Sequence, residues 1–120
     1  MATFPIRLLT PESVLMEEDA EAVFLRTVEG EIAFLAGHIP LVGAVAPGMV
    51  RVQHADGSEE RAAVHGGFVR VDGDSVTIAA PVAELASQID VERARRALEA
   101  AESDESVARA QARLDAAAAS

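Results

Sequence analysis

Residues 32–50 read IAFLAGHIPLVGAVAPGMV, nineteen uncharged residues between Glu31 and Arg51. That is close to the length at which a helix crosses a bilayer, about 20 residues. Pro40 and Pro47 would each remove a helical hydrogen bond, and Gly37, Gly43 and Gly48 weaken the helix further. The same residues divide the run into two pieces, Ile32 to Leu35 and Leu41 to Ala46, joined through Gly37-His38-Ile39-Pro40. Two buried strands are expected here, not a membrane helix.

The flanks repeat that pattern. Ala22 to Thr27 has the composition of a strand ended by Glu29-Gly30. Val50 and Val52 alternate with Arg51 and Gln53, and Asp56-Gly57 supplies hairpin chemistry before Glu60 to Val64 returns. Phe68 to Val71 alternates again, Asp72-Gly73-Asp74 turns, and Ser75 to Ile78 completes a second hairpin. Short strands at close spacing predict an antiparallel β-sandwich.

Near residue 84 the composition changes. Gly and Pro give way to Ala, Glu and Arg, and the apolar spacing becomes helical. Val91, Ala94, Leu98 and Ala101 form one stripe; after Glu102-Ser103-Asp104, Val107, Ala110, Leu114 and Ala117 form another. The fold class is therefore α+β: an N-terminal antiparallel β-sandwich over 1–84, then a C-terminal antiparallel α-helical hairpin over 85–120. With few large side chains, the hairpin is expected to form readily and hold on weakly.

Length and composition agree with one domain and an appendage. Half of the 120 residues are apolar, so a packed core is within reach. Four Phe and no Trp or Tyr make that core aliphatic and leave few platforms for stacking nucleic-acid bases. The net charge of −10 opposes binding to phosphate backbones or anionic lipid. Every cation is Arg, which excludes a phosphate-loop lysine and a Schiff-base lysine. With no Cys, thiol catalysis, disulfides and zinc–thiolate sites are excluded as well. MATFPIRLLTPES lacks the charged start and apolar run of a signal peptide, so a cytosolic location is expected.

No catalytic constellation emerges. His38 sits in a turn with no recognisable partner, no G-x-S-x-G elbow is present, and an interface or structural role suits it better than catalysis. His54 and His65 lie in facing strands of a predicted hairpin, where two imidazoles can approach each other, but no third ligand stands out, so no metal site is expected. Asp72-Gly73-Asp74 lacks the remaining oxygens of a calcium loop. Glu17-Glu18-Asp19 is expected to be a solvated face. Ile89-Asp90-Val91-Glu92-Arg93-Ala94 carries two readings: Asp90 as a plain N-cap, or a helix start with Arg93 poised for an anion.

Gly30-Glu31-Ile32-Ala33-Phe34-Leu35-Ala36-Gly37-His38-Ile39-Pro40-Leu41 resembles the G-[DE]-[IL]-G-I-L-P-G-H-x-P-L signature of the epsilon subunits of F-type ATP synthases. Ala33, Phe34 and Ala36 depart from it. Pro47 to Val52, Gly66-Gly67-Phe68-Val69-Arg70-Val71 and the I-D-x-x-R-A segment at Ile89 fit in order, so the resemblance runs from about Phe4 to Ala101.

The resemblance implies a noncatalytic subunit that needs no cofactor. Its sandwich would sit on the gamma subunit and touch the membrane c-ring, with Glu29, Glu31 and His38 as candidate rotor contacts. Its hairpin would lie compactly or extend toward the catalytic alpha and beta subunits and block ATP hydrolysis. Regulatory ATP would bind at Ile89, Asp90, Arg93 and Ala94 and favour the compact form. The location implied is peripheral, on the cytoplasmic side of a bacterial membrane, without insertion. The rival readings are a small β-sandwich enzyme built on histidine and a free-standing interaction module.

Overall fold

A computed structural model of the chain describes residues 3–37, 40–72 and 75–118. Ten strands precede two helices: β1 (Phe4–Leu9), β2 (Val14–Ala20), β3 (Ala22–Thr27), β4 (Gly30–Leu35), β5 (Leu41–Ala44), β6 (Gly48–Gln53), β7 (Glu59–Val64), β8 (Phe68–Asp72), β9 (Ser75–Ala79) and β10 (Ala83–Leu85). After a 3₁₀ turn at Ala86–Gln88 come α1 (Val91–Ala100) and α2 (Asp104–Ala118). The strands form two five-stranded sheets, ordered β2-β1-β9-β8-β5 and β10-β7-β6-β3-β4. Pairing is antiparallel except for β1 beside β9.

The uncharged run divides into two strands as the sequence predicts, but they are not buried: β4 and β5 are edge strands, in which Phe34 is buried while Leu35 and Val42 are exposed. The run spans most of β4, all of β5 and the start of β6, with Pro47 in the connection before β6. Among the described residues no helix is long and apolar enough to cross a membrane.

Period-two burial shows why these residues make strands. In β8, Val69 and Val71 are buried while Phe68, Arg70 and Asp72 are exposed. In β6, Val50 and Val52 point inward. The inner faces meet in one aliphatic core that includes Ile6, Leu8, Val23, Val64 and Ile78. Phe34, one of the departures from the family signature, is the largest fully buried side chain and fills this core.

Three strands go beyond the sequence expectation: β1, β2 and β10. The alternation in β1 is clear, since Phe4, Ile6 and Leu8 are buried, but Pro5 interrupts it. Pro5 is tolerated because the ladder with β9 begins only at Ile6. β2 is obscured by its carboxylates, and β10 is three residues long.

The hairpin packs against the outer face of the second sheet through α2, over β6 and β7. Of the expected stripes Ala94 and Ala110 are buried, but Val91 and Val107 are exposed, and the contact with the sheet is made by Ala112 and Ala116, outside the stripes. These two pack with Ala63, flanked by Met49 and Ile89, in a cluster distinct from the main core. Small side chains let the helix axis approach the sheet closely, so the larger valines are left outside. Ser103 caps α2, its Oγ accepting the Ser106 N–H at 3.1 Å.

Candidate functional site

The segment at Ile89 is built as a helix start. Asp90 is the N-cap of α1, and its Oδ1 accepts the Arg93 backbone N–H at 3.1 Å. Ile89 packs against the alanine cluster under α2, and Ala94 is buried. These two are packing residues that set where Asp90 and Arg93 stand. The Arg93 side chain is exposed and has no carboxylate partner among the described residues, whereas neighbouring Arg95 is paired with Glu92 at 2.8 Å. The arrangement offers an uncommitted guanidinium beside a helix N-terminus.

Close in sequence stands a partly buried charge group. Glu84 of β10 accepts a bond from Arg113 Nε of α2, tying hairpin to sandwich. His65, with a side chain only 1% exposed, places Nε2 3.6 Å from the same Glu84 oxygen. Burial, and then the Arg113 charge, hold the His65 pKa below its ordinary value, with Glu84 pulling the other way. The imidazole is therefore neutral near pH 7, and Glu84–Arg113 is the ion pair of the group.

His54 and His65 do not meet. They flank opposite ends of the β6–β7 ladder, whose register runs from Gly48↔Val64 to Gln53↔Glu59. The predicted facing strands are real, but antiparallel register sends the two imidazoles roughly 20 Å apart along them. Each meets carboxylates instead, and His54 Nε2 lies 3.3 Å from Glu18 and 3.9 Å from Glu60. Glu17 is exposed and pairs with Arg7, as a solvated face requires, but Glu18 is not part of that face. Burial, together with the nearby Glu60 carboxylate, pushes the Glu18 pKa up to about 7.

Of the predicted rotor contacts, Glu29 and Glu31 are exposed at the β3–β4 hairpin. The Thr27 hydroxyl accepts the Glu29 N–H at 3.2 Å and fixes the turn, and Arg26 reaches Glu31 at 3.5 Å. His38 lies outside the described residues, as do Gly73 and Asp74, on which the predicted turn after Asp72 falls.

Sequence reasoning missed an exposed apolar surface. Val28 is 72% exposed, Val42 71% and Phe68 63%. In the β5–β8 ladder Val42 pairs with Arg70 and Ala44 with Phe68, so Val42 and Phe68 are diagonal neighbours on one face. The Val28 N–H donates to the Ala44 carbonyl at 3.2 Å, which brings it to the same edge. Phe68 was legible: it is an aromatic on the polar phase of a strand that otherwise alternates. Val28 and Val42 converge on it only through pairing.

Residues 3–86 match the family model described as the ATP synthase delta/epsilon chain, β-sandwich domain. The ATP synthase epsilon chain of Alkalihalophilus pseudofirmus is 50% identical over 103 residues, covering 86% of this chain and 77% of that one. The epsilon chain of Thermobifida fusca is 48% identical over 123 residues, covering 93% and 90%. Among solved structures, a chain of the Euglena gracilis mitochondrial ATP synthase (OSCP/F1/c-ring, rotational state 1) superposes with a TM-score of 0.69 at 26% identity, over 96% of this chain and 77% of that one. A chain from the Tetrahymena thermophila central stalk and c-ring has a TM-score of 0.62 at 13% identity, covering 95% and 90%, and supports the fold alone.

Proposed function

Since the chain belongs to the epsilon-chain family of the ATP synthases, as a noncatalytic subunit, we propose that residues 1–84 couple the gamma shaft to the c-ring and residues 85–120 regulate ATP hydrolysis. The observation that carries the rotor reading is the apolar surface of Val28, Val42 and Phe68. A strongly acidic chain has little reason to expose three large apolar groups together unless a partner covers them. Glu29, Glu31 and His38 supply polar contacts around the rotor face. The subunit then works on the cytoplasmic side of a bacterial membrane, held peripherally through its complex.

The test is co-elution with the gamma subunit. The wild-type chain is expected to run as one peak with gamma, and Val42→Asp/Phe68→Asp to weaken that complex at least about tenfold, since buried aromatic anchors are commonly worth more than 1 kcal/mol each. Two separate peaks for the wild-type pair would remove the rotor reading.

The regulatory half of the proposal rests on two features. The hairpin is held by a small alanine cluster of its own, separate from the sandwich core. Near its hinge stands the exposed Arg93. In this reading ATP engages Ile89, Asp90, Arg93 and Ala94, with Arg93 meeting phosphate, and favours the docked hairpin. Released, the hairpin extends toward the alpha and beta subunits. Arg93→Ala is expected to weaken ATP binding about tenfold or more by calorimetry, the loss of one charge-assisted contact. Unchanged affinity would take Arg93 out of the site.

A further inference from the structure

Three titratable side chains occupy inward-facing strand positions at one end of the sandwich. In β2 the inward phase is Met16, Glu18, Ala20; in β6 it is Val50 and Val52, continued by His54; in β7 it is Glu60, Ala62, Val64. Positions that elsewhere hold core aliphatics here hold two carboxylates and an imidazole. Such groups are rare at inward positions unless something compensates their desolvation.

Their orientation is defined. His54 Nδ1 lies 3.0 Å from the Asp19 carbonyl, an acceptor, so Nδ1 carries the proton of that hydrogen bond. In the neutral ring Nε2 then presents a lone pair to Glu18 Oε1 at 3.3 Å and Glu60 Oε2 at 3.9 Å. Glu18 Oε1 is sealed from water and has no hydrogen-bond partner among the described residues. Three acceptors thus converge within 4.8 Å of one another.

We propose that Glu18, His54 and Glu60 form a divalent-cation site of zinc type that ties the two sheets together at this end of the sandwich. Zinc bonds of about 2.0–2.1 Å in tetrahedral geometry place ligand atoms about 3.3–3.4 Å apart. The His54–Glu18 separation of 3.3 Å already has that value, and Glu60, 3.9 Å from His54 and within 4.8 Å of Glu18, has to move inward to join them. A mixed set of one imidazole and two carboxylates suits zinc and disfavours magnesium and calcium, which prefer oxygen alone. The Nδ1–H to carbonyl bond is the outer contact that fixes the tautomer and aims Nε2 in histidine–zinc sites. An open cleft of about 730 Å³, bordered by Asp56, Ser58 and Glu59, gives the ion access and adds negative charge. Glu18 comes from one sheet, and His54 and Glu60 from the other, so a bound ion would act as a clasp on β2, an edge strand.

The test uses the full chain, stripped with chelator and titrated with zinc chloride by calorimetry, with melting followed in parallel. One ion per chain and a melting temperature rising with zinc are expected. His54→Ala and the near-isosteric Glu18→Gln should each lose at least about tenfold in affinity, while Glu17→Gln, on the outward phase of β2, keeps it. Glu18→Gln covers the case in which His54→Ala does not fold. No binding at ~1 mM zinc, or affinity unchanged in Glu18→Gln, overturns the site.

Discussion

Gly67→Ala is expected to lower the melting temperature of the chain by more than about 10 °C. Gly67 lies in the connection from β7 to β8 with φ +120°, where its missing side chain is a requirement. A Cβ there would stand 2.2 Å from the Ala79 carbonyl oxygen and 2.8 Å from the Ala80 Cα. Both are backbone atoms at the end of β9, which is paired with β1 and β8, so neither yields by a rotamer change. The Gly67 carbonyl also accepts the Val45 N–H at 2.9 Å, so moving the loop would disturb a second connection. Backbone strain of about 1–3 kcal/mol adds to the clash. A loss of 1 kcal/mol shifts melting by about 4–8 °C in a domain of this size, so 3 kcal/mol or more is readily seen. Gly57→Ala separates the two causes. Gly57 also has positive φ, +89°, but nothing lies within 4 Å of its would-be Cβ, so only the strain remains. Equal melting of the two variants would show that the close approach at Gly67 carries no weight.

The sandwich was legible where alternation was clean, as in β8 and β9, and where a turn carried Asp-Gly chemistry, as between β6 and β7. It was illegible in β2, because Glu17, Glu18 and Asp19 look alike in sequence while strand phase separates them. Glu17 and Asp19 face water, and Glu18 faces the core side, which only pairing with β1 fixes. The same limit applies to the histidines. Facing strands were read correctly, but the register that parts His54 from His65 and joins His54 to Glu18 is a tertiary fact. Asp90 was legible as a cap because capping is local. The helical stripes were right at Ala94 and Ala110, which are buried, and wrong at Val91 and Val107, where apolar size is a poor guide to burial. Against a flat sheet face, close approach favours Ala112 and Ala116 over Val107. Phe34 is the reverse case: a larger residue than the family signature carries, buried in the core beside its cross-strand partner Val23.

Ala112→Glu is expected to undock the hairpin while leaving the sandwich folded. Ala112 is 1% exposed and Ala116 0%, both packed with Ala63 of β7. A buried methyl is worth about 0.8 kcal/mol, so a few alanines hold the helix by only a few kcal/mol. An unpaired carboxylate forced into that contact costs several kcal/mol, more than the contact supplies. The Glu84–Arg113 pair does not rescue docking, because a partly exposed ion pair contributes on the order of 1 kcal/mol or less. Once released, α1 with 10 residues and α2 with 15 are near the length at which isolated helices are marginal. Hydrogen exchange should therefore show hairpin amides losing about 10- to 100-fold in protection, with β1, β6 and β9 unchanged. Ala100→Glu, on the exposed side of α1, is the matched control. Parallel loss across strands and helices would mean one cooperative unit and no separable arm. If only the hairpin responds, the docked and released states lie within a few kcal/mol of each other. That is the range in which a ligand preferring the docked form at Arg93 can set the population.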